Sequence, residues 1–203
     1  MWLIVLCAFA GIILQFDAGV MRWVDEGKSL GESLTRFFSY FTILTNLLIA
    51  VTSAFVLLAP HSGMGQLCDK PGTVTAITVY IVVVGLVYNL VLRGLYHPQG
   101  WARAGDELVH VAVPLLYLFY WLLFATKGSV HWSSAFGWLL YPLLYLVYTF
   151  LHGWVTHYYP YPFMDATVIG YTHFWLNSFY LLLVFVALNV IMIAIDKAIA
   201  RRK

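Results

Sequence analysis

Residues 37–58 read FFSYFTILTNLLIAVTSAFVLL, a run without a single charge, flanked by Arg36 and stopped by Pro60. A stretch of this length and apolarity is long enough to cross the hydrocarbon of a bilayer as a helix, at about 20 residues per crossing. Its polar members, Ser39, Thr42, Thr45, Asn46, Thr52 and Ser53, do not alternate with apolar ones at strand period, so a barrel strand is disfavoured.

The same reading repeats along the chain. Spans are expected over Trp2–Val20, Arg36–Leu58, Thr73–Leu92, Asp106–Phe124, Ser134–Leu151 and His173–Asp196. The 203 residues are 62% hydrophobic and only 10% charged, too little charge to cover a water-soluble globule. The expected fold is therefore all-α: a polytopic membrane protein of about six transmembrane helices in one bundle, with residues 1–203 forming a single domain. Met1–Leu14 is apolar from its first residue and has no basic leader, which reads as a retained helix rather than a cleaved signal. The net charge of +2 is too small to suggest nucleic acid, and Cys7 and Cys68 have neither metal nor disulfide spacing.

With six spans, both ends share one side. Lys70, Lys127, Lys197, Arg201, Arg202 and Lys203 fall on the tail side, against Arg22, Lys28, Arg36, Arg93 and Arg103 opposite. The excess places the N and C termini in the cytoplasm.

Polar residues concentrate at the end of the bilayer away from the tail. Gln15 and Asp17 close the first span, and Ser39, Thr42, Thr45 and Asn46 open the second. Tyr88, Asn89 and Arg93 close the third, and Asp106, Glu107 and His110 open the fourth. Thr149 and His152 close the fifth, and His173 and Asn177 open the sixth. Polar groups at this depth are costly unless they face a bundle interior or a wet cavity.

Within this set Thr42 and His110 each lie about six residues inside their spans, roughly 9 Å below the same surface at a rise of ~1.5 Å per residue. A threonine hydroxyl becomes a nucleophile when a base takes its proton, and histidine is the usual base. Asp106, one turn before His110, is placed to orient the ring. Asn46, one turn after Thr42, is a candidate donor to a developing oxyanion. Arg36, Arg93 or Arg103 could hold a substrate carboxylate near the headgroups, with Asn89, His173 and Asn177 as further substrate-binding candidates.

Other readings use the same residues. Threonine and asparagine in membrane helices commonly serve as packing and interhelical glue, and Asp17, Arg93 and Asp106 could form an ion-pair network. His110, His152, His157 and His173 with Asp165 could hold zinc or iron, although no tight ligand spacing is present. A lipid-binding or transport protein would share the cavity; Pro114 and Pro142 interrupt two spans, but no inverted repeat is visible.

The segments FFSYFTILTNLLIA (37–50), DELVHVAVPLLY (106–117) and YPYPFMD (159–165) resemble bacterial relatives of the androgen-induced membrane proteins, a family that includes the androgen-dependent TFPI-regulating protein. The likeness in element order covers nearly the whole chain. It implies a multi-span hydrolase that cleaves fatty acid esters of hydroxy fatty acids with a threonine nucleophile and a histidine. The motifs Y-F-T-x-x-x-N and x-x-x-H place these roles on Thr42 and His110, with Thr45 as the neighbouring hydroxyl. The implied partners are a lipid substrate with long acyl chains and the membrane itself, the implied setting is a bacterial plasma (inner) membrane, and no cofactor is required.

Overall fold

The computed structural model describes residues 1–201, so Arg202 and Lys203, which entered the charge count, lie outside the described residues. Helices follow one another along the chain: α1 (Trp2–Asp25), α2 (Leu30–Phe38), α3 (Phe41–Leu58), α4 (Gly63–Cys68), α5 (Pro71–Leu92), α6 (Gly100–Phe124), α7 (Ser134–Thr156) and α8 (Ala166–Ala200). Six of these are long and apolar enough to cross a membrane, and no strand is present among the described residues. The protein is an all-α, polytopic integral membrane protein. Its helices group into two compact units, residues 1–126 and residues from 127 onward.

In the first unit α1 packs against α3 and α6, and α5 packs against α3 and α6. Glycines set the closest approaches. A Cβ on Gly11 would lie 2.7 Å from Val109 Cγ1, and one on Gly105 would lie 2.7 Å from Leu14 Cβ, so α1 and α6 touch through hydrogen-sized side chains. Such small-residue contacts let backbones approach where lipid offers no hydrophobic drive to associate. A Cβ on Gly85 of α5 would meet Pro114 Cβ at 3.2 Å and the His110 carbonyl at 3.5 Å. At the end of α1, Val20, Trp23, Phe37 and Ile43 form a buried cluster, with Phe16 edge-on to Phe37 at 5.5 Å.

The second span starts later than its hydropathy suggests. Instead of one helix from Arg36, the short amphipathic α2 precedes α3, and Tyr40 between them is extended (φ −80°, ψ 124°). Ser39 Oγ donates to the Thr35 carbonyl at 2.6 Å, closing α2 on itself. Its start is a cap in which Ser29 Oγ accepts from the Glu32 N–H at 3.1 Å. The fourth span begins at Gly100, earlier than Asp106, because the polar turn GWARAGDE continues the helix past the apolar run.

The second unit holds α7 and α8 and the YPYPFMD connection. His157 ends α7 in the left-handed region (φ 55°). Tyr159 then lies across Gly153, where a Cβ would fall 2.1 Å from its ring. Asp165 caps α8 by accepting from the Thr167 N–H at 3.0 Å, and Asn177 Nδ2 donates to the Phe163 carbonyl at 2.7 Å. Gly170 (φ 76°, ψ 158°) interrupts α8, so its straight part starts close to the expected His173.

Candidate functional site

Three helices of the first unit contain a widened π turn: Asp17–Met21 in α1, Tyr88–Leu92 in α5 and Leu108–Ala112 in α6. Such turns insert one residue, redirect the side chains around it, and are frequent at functional sites. Two of them carry Tyr88 and His110, and Arg93, Asp106 and Glu107 flank them.

His110 sits in the middle of the α6 turn with its side chain only 13% exposed. Its Nδ1 lies 3.0 Å from the Asp106 carbonyl oxygen and 3.0 Å from Asp106 Oδ1. Two acceptors at that nitrogen assign the proton to Nδ1, which in the neutral ring leaves the lone pair on Nε2. Asp106, itself buried, accepts a second hydrogen bond at Oδ2 from the Tyr88 hydroxyl of α5. The Tyr88 ring also stacks on His110, with centroids 4.0 Å apart and planes within 10°.

Outside this triad stands an ion pair. Arg93 forks onto Glu107 with Nη1–Oε1 2.7 Å and Nη2–Oε2 2.8 Å, and its Nε donates to Asn89 Oδ1 at 2.9 Å. Hydrogen bonding to Glu107 raises the Arg93 pKa further, holding the guanidinium firmly in its charged form. Asn89 Nδ2 in turn donates to the Gly85 carbonyl at 2.7 Å and reaches the His110 carbonyl at 3.4 Å. Arg93 is thus committed within the protein, and a substrate carboxylate would have to compete with Glu107.

Asn46 joins α3 to α6. Its Nδ2 donates to the Thr42 carbonyl at 2.8 Å and to the Val109 carbonyl at 3.2 Å. One amide group therefore holds the backbone of Thr42 level with the peptide that precedes His110. Both of its N–H donors are taken by these carbonyls, which makes Asn46 an orienting link between the helices, and donation to an oxyanion would require it to give one of them up. Its Oδ1, fully buried, has no hydrogen-bond partner among the described residues.

The helix starts on which an equal depth of Thr42 and His110 depends are both displaced. Thr42 lies on the first turn of α3, and His110 lies well inside α6. Counted from these starts the two residues differ in depth, Thr42 one residue into α3 and His110 ten into α6, and it is the Asn46 clasp that brings their backbones level. Thr42 is 6% exposed, and Thr45, three residues on, is wholly buried.

Arg36, on α2, pairs with Glu32 at 2.8 Å. His173 and Asn177 belong to the second unit, where His173 Nδ1 faces the Ile169 carbonyl at 3.0 Å and Asn177 ties down the connection before α8. Among the described residues no three His, Cys, Asp or Glu side chains converge as metal ligands.

Tyr88 and Glu107 stand at this depth in the sequence with no role of their own. The run DELVH puts Asp106 and His110 on one helix face and turns Glu107 off it, but it carries no signal for Tyr88. Compared with protein families, curated proteins and solved structures, the chain matches none.

Proposed function

We propose that the chain is an intramembrane hydrolase of lipid esters, of the fatty acid ester of hydroxy fatty acid type, in which Thr42 is the nucleophile and His110 the base. The observation that supports it most is the Asp106–His110 pair: a carboxylate orients the ring, the proton is on Nδ1, and the basic Nε2 belongs to a helix clasped to the one bearing Thr42. A base held by a carboxylate in this way is one part of what a hydroxyl nucleophile requires.

In the proposed cycle Thr42 Oγ1 attacks the ester carbonyl carbon while its proton passes to His110 Nε2. The tetrahedral intermediate carries its negative oxygen near the first turn of α3, whose positive dipole end favours it. Collapse breaks the carbon–oxygen bond to the alcohol, and His110 returns the proton to the departing oxygen. A water molecule, losing a proton to His110, then attacks the acyl-threonine, releases the fatty acid and restores Thr42. Acyl chains lie among the apolar side chains of the bundle. No step requires a cofactor.

The resemblance to the androgen-induced proteins, the bacterial plasma membrane and cytoplasmic termini belong to the same proposal. The supporting test is covalent labelling by a fluorophosphonate, together with fatty acid release from a lipid ester by detergent-purified variants. Thr42→Ala and His110→Ala are expected to abolish release with non-additive losses, and Thr42→Ser to retain part of it. Unchanged hydrolysis by Thr42→Ala would remove Thr42 from the role and direct attention to Thr45. Tight lipid binding by a parent protein that cleaves no ester would favour a lipid-binding or transport protein instead.

A further inference from the structure

The histidine of this site is held by more than its own helix. Asp106 and His110 are one turn apart on α6, and a carboxylate there can turn about its side-chain bonds. One carboxylate oxygen meets His110 Nδ1 at 3.0 Å, and the other receives the hydroxyl of Tyr88 from α5. Tyr88 therefore determines which way the carboxylate plane faces. The same residue lies flat on the imidazole at 4.0 Å, which restricts rotation of the ring about its own axis. Two independent contacts from a neighbouring helix thus converge on the orientation of one histidine.

The backbone around Tyr88 is shaped for that position. Tyr88 opens the π turn of α5, and His110 is central to the π turn of α6. Gly85, one turn earlier, lets the two helices approach, since a Cβ there would press on Pro114 at 3.2 Å. Asn89 reaches from α5 to the His110 carbonyl at 3.4 Å and so spans the same gap. Arg93 lies over the Tyr88 ring at 5.0 Å and ends in the Glu107 pair, a further contact on the tyrosine.

We infer that Tyr88 is the positioning residue of the site: it fixes the ring plane and the Nδ1-protonated tautomer of His110, through its hydroxyl on Asp106 and its ring on the imidazole. The role of that histidine as a base rests on the hydrolase reading above; its orientation by Tyr88 does not.

Two substitutions separate the contacts. Tyr88→Phe keeps the stacked ring and removes the hydroxyl, whereas Tyr88→Leu removes both. Histidine-selective nitrogen NMR of the full-length protein in detergent reads the tautomer directly, with the His110 signal assigned by its loss in His110→Gln. The parent should show a single Nδ1-protonated form and a hydrogen-bonded Nδ1 proton in slow exchange. In Tyr88→Phe that proton should exchange faster, and in Tyr88→Leu the second tautomer should appear.

Ester hydrolysis should fall in kcat by roughly 10- to 100-fold in Tyr88→Phe, the size of loss that follows removal of the outer-shell partner of a metal-bound histidine, which is oriented in the same manner. KM should stay within about twofold, since only the transition state is affected. A merely structural tyrosine would lower the yield of folded protein and leave the spectrum and kcat of the folded fraction alone. Parent-like spectra in both variants, folded by size exclusion, overturn the proposal. Altered spectra in a protein whose parent cleaves no ester support the orientation by Tyr88 and dismiss the hydrolase reading.

Discussion

Replacing Asn46 by aspartate exchanges one NH2 group for an oxygen and leaves size and shape almost unchanged, which makes it a sensitive probe of the clasp between α3 and α6. The amide nitrogen stands 2.8 Å from the Thr42 carbonyl and 3.2 Å from the Val109 carbonyl. In Asn46→Asp both hydrogen bonds are lost, at about 1 kcal/mol net each, and an oxygen is directed at two others. A buried charge left without a partner costs roughly 3–5 kcal/mol. A loss of several kcal/mol at neutral pH follows, large against the total stability of most proteins. Protonating the new carboxyl supplies one donor, so stability is greatest at low pH and declines as pH rises through its ionisation. Asn46→Leu is the informative contrast. It also gives up the clasp, an interhelical bond of about 0.6 kcal/mol on average in membranes, but it removes the buried Oδ1 that has no partner. It should therefore be far milder than aspartate. The assay is unfolding of the purified protein by titration from mild detergent into SDS, followed by tryptophan fluorescence, at two pH values. An aspartate variant as stable as the parent, or less damaging than leucine, would show that the amide does not hold the two carbonyls.

Gly105→Ala should destabilise by about 1 kcal/mol, since overpacking costs ~1–3 kcal/mol against a helix-propensity gain near 1; its Cβ would meet Leu14 Cβ at 2.7 Å and the Gln15 backbone nitrogen at 3.3 Å. Gly72→Ala, with open space around it, should be neutral or mildly stabilising in the same SDS titration. Asp165→Ala removes the cap on Thr167 and should cost about 1 kcal/mol, with Asp165→Asn retaining most of it. Burial pushes the Cys68 thiol pKa up, so its thiolate forms only at higher pH than usual. Maleimide labelling followed by mass spectrometry should be slow at neutral pH and accelerate under alkaline conditions or on unfolding; labelling as fast as a free thiol would contradict the packing around α4.

The six spans were legible because uncharged apolar runs of that length have few other uses, and the hydrophobic signal is strong where the helices are in lipid. Their ends were not. The turn GWARAGDE that starts α6 is polar yet helical, and hydropathy does not register it. The break at Ser39–Tyr40 depends on one hydroxyl bonding back to Thr35, a local contact inside a run that looks continuous. At the site, Thr42, Asn46, Asp106 and His110 could be named from spacing, and the i to i+4 relation of Asp106 and His110 needed only helix geometry. The Arg93–Glu107 fork and the hydroxyl of Tyr88 on Asp106 depend on how α5 and α6 are rotated about their axes. That rotation is set by two π turns, for which the residue pattern carries no marker.

Those wide turns have a consequence for inheritance. Each amounts to a single surplus residue accommodated inside an otherwise regular helix, so the shortest route to or from such a turn is the gain or loss of one codon. In a helix one residue corresponds to about 100° of rotation. Deleting one residue within 89–92 would return α5 to regular winding and leave a helix still able to cross the membrane with Arg93 close to its register, whereas deleting one from a regular stretch would turn every later side chain by that angle. A change of one residue is therefore absorbed at a wide turn and not elsewhere, and kindred chains should be compared by counting residues along each span before any likeness of side chains is weighed.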